Sequence, residues 1–146
     1  MLPTRAGIGI LAAILLTASL AFAAAEDAAA IKPTVTPVLE SSTAIIGQPI
    51  AYPAGTAKVT AAIITIPAGG ETGWHTHAVP LFGYMLDGEL TVDYGSEGTH
   101  VYKVGDALME AMNWPHDGMN KGTVPVRILA VYIGAVGLPN AEPVRQ

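Results

Sequence analysis

His75 and His77 stand two positions apart within GGETGWHTHAVP (residues 69–80), and this pair constrains the chain more than any other feature. Side chains of an extended strand alternate between faces, so residues at i and i+2 project from the same side of a sheet. Two imidazoles converging in this way are the start of a metal site. A third, His116, follows in GDALMEAMNWPHDGMN, after a segment long enough to fold back beside the first strand. Three neutral imidazoles hold a divalent transition metal and leave coordination positions open for water or substrate.

The rest of the chain reads as short strands separated by turns. Lys58 to Pro67 (KVTAAIITIP) is a β-branched run of strand length, apolar on both faces over Ala61 to Ile66, as expected of a strand buried between two layers. Leu81 to Leu86 forms the next strand after Pro80. Asp87-Gly88 then predicts a tight hairpin turn, because the pair supplies the positive-φ residues such a turn requires. Leu90 to Tyr94, a turn over Gly95 to Gly98, and His100 to Val104 continue an antiparallel meander. Ala107 to Met112 leads into the loop carrying His116, and Val126 to Ile133 (VRILAVYI) closes the sheet. Upstream, Val35 to Leu39 is expected as an edge strand, and Tyr52-Pro53 as a turn aromatic covering one end of the core. No stretch after the N-terminal segment has helical periodicity over a helix-forming length. Some ten short strands with regularly spaced turns predict an all-β barrel or jelly roll.

The spacing resembles that of the cupins, whose paired motifs run G-(x)5-H-x-H-(x)3,4-E-(x)6-G and G-(x)5-P-x-G-(x)2-H-(x)3-N. Gly69, His75, His77 and Gly88 match the first, and Gly105, His116 and Asn120 the second, without a gap. Three positions depart: Leu81 stands at the glutamate ligand, and Ala111 and Asn113 at the proline and glycine of the second motif. The resemblance implies a single cupin β-barrel over residues 43–138, preceded by an Ala/Pro-rich lead-in (24–42) and followed by a short tail (139–146). It also implies one divalent metal, Fe, Mn, Ni, Cu or Zn, held by His75, His77 and His116. Pairing of barrels through exposed sheet edges makes a homodimer the expected assembly.

Residues 1–23 have the order of a secretory signal peptide: Arg5, an apolar stretch, then Ala21-Phe22-Ala23 as the cleavage sequence. Removal would leave one domain-sized chain in the periplasm or outside the cell. An uncleaved anchor is the alternative, since Ala6 to Ala25 is long enough to span a bilayer. The chain has no cysteine, so disulfides and thiolate ligands are excluded and an exported form gains stability from burial alone. Its net charge is −5 with no basic cluster, which argues against nucleic acid or, after cleavage, a membrane surface as partner. A small molecule is the expected ligand.

If Leu81 takes the inward position of the missing glutamate, Gly83 and Met85 face the same cavity, and Phe82 and Tyr84 the opposite side. Glu110, six residues before His116, is the carboxylate close to a ligand in sequence. It resembles the pocket glutamate of three-histidine cupin dioxygenases, which implies a catalytic role: orienting water, acting as general base, or substituting as fourth ligand. An exposed strand position is the alternative. The enzymatic reading is an Fe(II)-dependent dioxygenase acting on a chelating organic anion; the other is a non-catalytic module binding a small molecule or sugar. His100 lies outside both motifs and reads as a surface residue. Trp74 and Trp114 read as packing, and Asn120 as a hydrogen-bonding partner of the turn after His116.

Overall fold

The computed structural model describes residues 32–144, so the signal segment lies outside the described residues. Nine strands fall within them: β1 (Ala57–Ile66), β2 (His75–Thr76), β3 (Leu81–Asp87), β4 (Glu89–Asp93), β5 (Thr99–Lys103), β6 (Ala107–Met109), β7 (Asp117–Met119), β8 (Val126–Ala135) and β9 (Glu142–Pro143). A single 3-10 turn, Gly95–Glu97, joins β4 to β5. They pair into a four-stranded sheet ordered β1-β8-β3-β6, a three-stranded sheet ordered β5-β4-β7, and the short pair β2-β9, with every pairing antiparallel. The domain is an all-β jelly roll, as expected from the strand pattern.

The core lies between the sheets. Met85, Tyr94, Ala111 and Val126 are completely buried, with Leu90, Val92, Leu108 and Ile128 around them. Val79, Leu81, Ala130 and Tyr132 form a second group, and Ile64 touches both groups. Alternation explains the division along β8: Val126, Ile128, Ala130 and Tyr132 point inward, and their neighbours Arg127, Leu129 and Val131 do not.

Several sequence expectations need correction. Asp87-Gly88 is no hairpin, because β3 and β4 belong to different sheets; Gly88, at φ 76°, turns the chain from one sheet into the other. β1 is not buried on both faces. It pairs only with β8 and leaves Val59 and Ile63 largely exposed, so the apolar run forms an outer strand whose Ile66 end alone enters the core. Residues 35–39 form no strand and are exposed, and Tyr52 is 74% exposed and covers nothing. Residues 43–55 form no strand beyond the bridge between Thr43 and Pro49, yet they are tied to the domain: Ile45 and Ile46 pack on the core, Ile45 N donates to Met109 O, and Gln48 bonds the Met112 main chain. Asn113, where the motif has glycine, is the one described non-glycine residue with positive φ, 52°. Asparagine tolerates that conformation better than other side chains, so the substitution preserves the turn.

Candidate metal centre

Backbone pairing brings the three histidines together. His75 and His116 face each other across an antiparallel bridge and exchange both hydrogen bonds, N to O at 3.0 Å in each direction. Residues paired in this way present their side chains on the same face. His77 is two residues beyond His75, so parity puts it on that face as well. The ring centroids lie 4.4 Å (His75–His116), 4.8 Å (His75–His77) and 5.1 Å (His77–His116) apart.

Each ring is oriented by a main-chain carbonyl. His75 Nδ1–H donates to Gly73 O at 2.7 Å, His77 Nδ1–H to Asn140 O at 2.7 Å, and His116 Nδ1–H to Trp114 O at 2.8 Å. A proton held on Nδ1 leaves the Nε2 lone pair free, which is how protein frameworks orient imidazole ligands. His116 Nε2 is fully buried and without a hydrogen-bond partner. A buried, unpartnered acceptor is costly, and a cation in front of it removes the cost. Potential ligand atoms of the three residues all lie within 4.8 Å of one another. The donor set therefore fits one divalent ion.

Burial holds His77 and His116 down to a pKa of about 4, with the neighbouring imidazoles adding to the effect and the carbonyl hydrogen bonds opposing it. Both rings are thus neutral at pH 7, the form that coordinates a metal. Below an unfolded-state pKa of about 6.5 the unfolded chain binds protons that these buried rings refuse. Stability is therefore full above that value and falls as pH drops towards 4. We expect the thermal midpoint of the chelator-treated protein to decline steadily from pH 6.5 to 4, and the decline to shrink in His77→Gln; a flat profile in the parent chain would contradict the burial argument.

Thr72 supports the assembly. Its Oγ1 accepts from Gly118 N at 2.9 Å and donates to Asp117 Oδ1 at 3.1 Å, pinning the segment before β2 to β7. Sequence reading missed both Thr72 and Asp117; their position beside His75 and His116 was the available signal. Asn120 donates to Ile66 O and Val124 O and accepts from Gly122 N, closing the turn after β7 as expected. Trp114 packs on the core and donates Nε1–H to Tyr94 O. His100 is half-buried rather than free on the surface, its ring stacked near Tyr102.

The histidines open into a cavity of about 60 Å³, walled chiefly by apolar side chains including Leu81, Leu108 and Ile128. Gly83 lines it as parity predicts, whereas Met85 is submerged in the core beneath it. A wider groove of about 370 Å³ continues outward and shares Ile64, Thr72, His75, His77 and Tyr132 with the inner cavity. Glu110 faces the cavity and is 93% buried, not on an exposed strand face. Its Oε1 accepts from Ala111 N at 2.7 Å, and its Oε2 lies 3.8 Å from His116 Nε2. Burial pushes the carboxyl up, and the Ala111 amide and Tyr94 hydroxyl act against it. Burial also raises the Tyr94 hydroxyl, which lies 3.1 Å from that of Tyr102.

A double-layered antiparallel sheet presenting three main-chain-oriented imidazoles to an apolar cavity defines a β-sandwich metal-binding domain. Residues 62–132 match the cupin domain family, and the fold agrees with that match. Solved structures similar to it include Lactobacillus farciminis oxalate decarboxylase in its formate complex (23% identity, TM-score 0.52, covering 59% of this chain and 26% of that one). An oxalate oxidase (21%, 0.51, 59% and 46%) and a DMSP lyase (17%, 0.52, 60% and 44%) are also similar. At these identities the likeness is one of fold, and the chain spans less than half the length of each. No curated protein sequence matches it.

Proposed function

We propose that this chain is an exported cupin that holds one divalent transition metal through His75, His77 and His116 and takes a small, chelating organic anion as its ligand, in the enzymatic form as an Fe(II)-dependent dioxygenase. The observation that carries the reading is the set of three rings, each fixed through Nδ1, with the buried Nε2 of His116 unpartnered. When bound, the metal supplies Lewis acidity and, if it is iron, the capacity for O2 chemistry.

The protein's own residues define what can bind there. Neutral imidazoles contribute no charge, so they leave the cation's charge to attract an anion. Leu81, Leu108 and Ile128 make much of the wall apolar, and a low-dielectric wall strengthens that attraction. A cavity of about 60 Å³ admits only a compact head, such as an enolate or the carboxylates of an oxalate-sized acid. Any larger body lies in the outer groove, past Tyr132.

O2 uptake by the Fe(II)-loaded protein should appear with at least one of a set of diketones, flavonols, thiols and oxalate, and vanish on chelation. Silence across the set, together with ligand-induced thermal stabilisation, would instead identify a non-catalytic binding module. Export predicts that protein from its native host begins after Ala23, as read by N-terminal sequencing; a chain beginning at Met1 would refute it.

A further inference from the structure

The cupin pattern places a glutamate ligand at the position of Leu81, and that leucine is an inward-facing, buried residue of β3. The strand beside it is β6, whose register runs Tyr84 to Ala107, Gly83 to Leu108 and Phe82 to Met109. Continued by one residue, that register sets Leu81 opposite Glu110, and Glu110 N donates to Leu81 O at 2.9 Å. Directly opposed residues project from the same face, with Cβ atoms about 5 Å apart. Both side chains accordingly line the same cavity.

We propose that Glu110 is the fourth ligand of the metal site, the carboxylate having moved from β3 to the directly opposed position across the β3–β6 pairing. The inference rests on the metal-binding reading above. Ligand atoms about 2.1 Å from a shared ion lie about 3 Å apart when adjacent and about 4.2 Å apart when opposite. The 3.8 Å between Glu110 Oε2 and His116 Nε2 falls inside that interval. The two carboxylate oxygens also divide their work: Oε1 is occupied by the Ala111 amide, and Oε2 is turned towards His116. Among the described residues no lysine or arginine lines the cavity, so none of them balances a carboxylate this deeply buried. An ion held by the three imidazoles does. Net charge at the occupied site becomes +1, the same balance as in the family's three-histidine, one-glutamate set. Of the three roles open to Glu110 from sequence, ligation is the one proposed; the tight group of ligand atoms comprises the three histidines alone, so coordination requires the carboxylate to swing from its place beside His116 towards His75 and His77.

The test uses Zn(II) affinity, measured by competition with a chromophoric chelator, and the visible absorption of Co(II), on the parent chain, Glu110→Gln, and Glu110→Gln combined with Leu81→Glu. Glu110→Gln, nearly isosteric, should bind Zn(II) at least 10- to 100-fold more weakly and show a changed Co(II) spectrum, since even outer partners of ligands are worth about that much. Adding Leu81→Glu should recover most of the affinity, because it returns a carboxylate to the same face. Unchanged affinity, or weakened affinity with an unaltered Co(II) spectrum, would overturn ligation by Glu110 while leaving the three-histidine site standing. A parent chain that binds neither metal would overturn both. Circular dichroism and the thermal midpoint of each metal-free variant separate a lost ligand from a lost fold.

Discussion

His77→Ala is expected to strip the protein of its metal while leaving the fold intact. Affinities of about 10–16 kcal/mol for four-ligand zinc sites correspond to about 3–4 kcal/mol per ligand, so losing one weakens binding by about 10²- to 10³-fold. Metal retained through purification should then fall from about one per chain to a trace, as read by elemental analysis. The buried ring packs against His75, His116 and Tyr132, but its hydrogen bonding among the described residues is confined to Asn140 O, so its loss costs packing rather than a polar network. The main chain of residue 77 still accepts from Asn113 N at 2.8 Å after the substitution, so the loop before His116 keeps its anchor. Removing a buried ring leaves a space beside Tyr132, whose centroid lies 5.7 Å away, and costs some stability, but that space adjoins an existing cavity. Unchanged metal content in a folded His77→Ala protein would refute the assignment of this residue.

The features legible in the sequence were those set by alternation along a strand. His75 and His77 share a face, Leu81 and Gly83 share another, and both statements need only the two-residue period. The order of strands within a sheet has no such signature. Asp87-Gly88 announces a left-handed turn, yet a turn of that conformation serves equally to reverse a strand or to carry it to the facing sheet. Likewise the β-branched run of β1 is compatible with an outer or a central strand; its exposure follows from β8 being its only neighbour among the described residues, and the partners, Val126 to Ala135, lie far along the chain. The site shows the same limit. Glu110 stood out by its nearness to His116, but that it opposes Leu81 depends on the β3–β6 register. The Tyr94–Tyr102 contact joins the residue just past β4 to one on β5, and it was invisible until the meander was closed.

Gly88→Ala separates what the motif's glycines do from what its histidines do, and it should be the most damaging single methyl added to this domain. A Cβ on Gly88 would stand 2.8 Å from Pro125 O, 3.0 Å from Val126 Cα and 3.0 Å from Val126 Cγ2. The first two obstacles are backbone at the start of β8, an inner strand of the larger sheet, so they cannot swing aside. The residue also holds φ at 76°, which costs an alanine about 1–2 kcal/mol before any clash is counted. Overpacking adds about 1–3 kcal/mol, and together they amount to about 3 kcal/mol, a fall of roughly 10–15 °C in the thermal midpoint for a domain of this size. Gly105 is the matching control: its φ is 91°, but nothing lies within 4 Å of its added Cβ, so Gly105→Ala should lose only about the backbone share. At temperatures where Gly88→Ala remains folded, its Zn(II) affinity should equal that of the parent chain, because the glycine orders the passage between sheets and touches none of the histidines. Equal thermal midpoints for the two alanine variants would show that β8 yields at Val126 and that the close approach of the corner to this strand is not rigid.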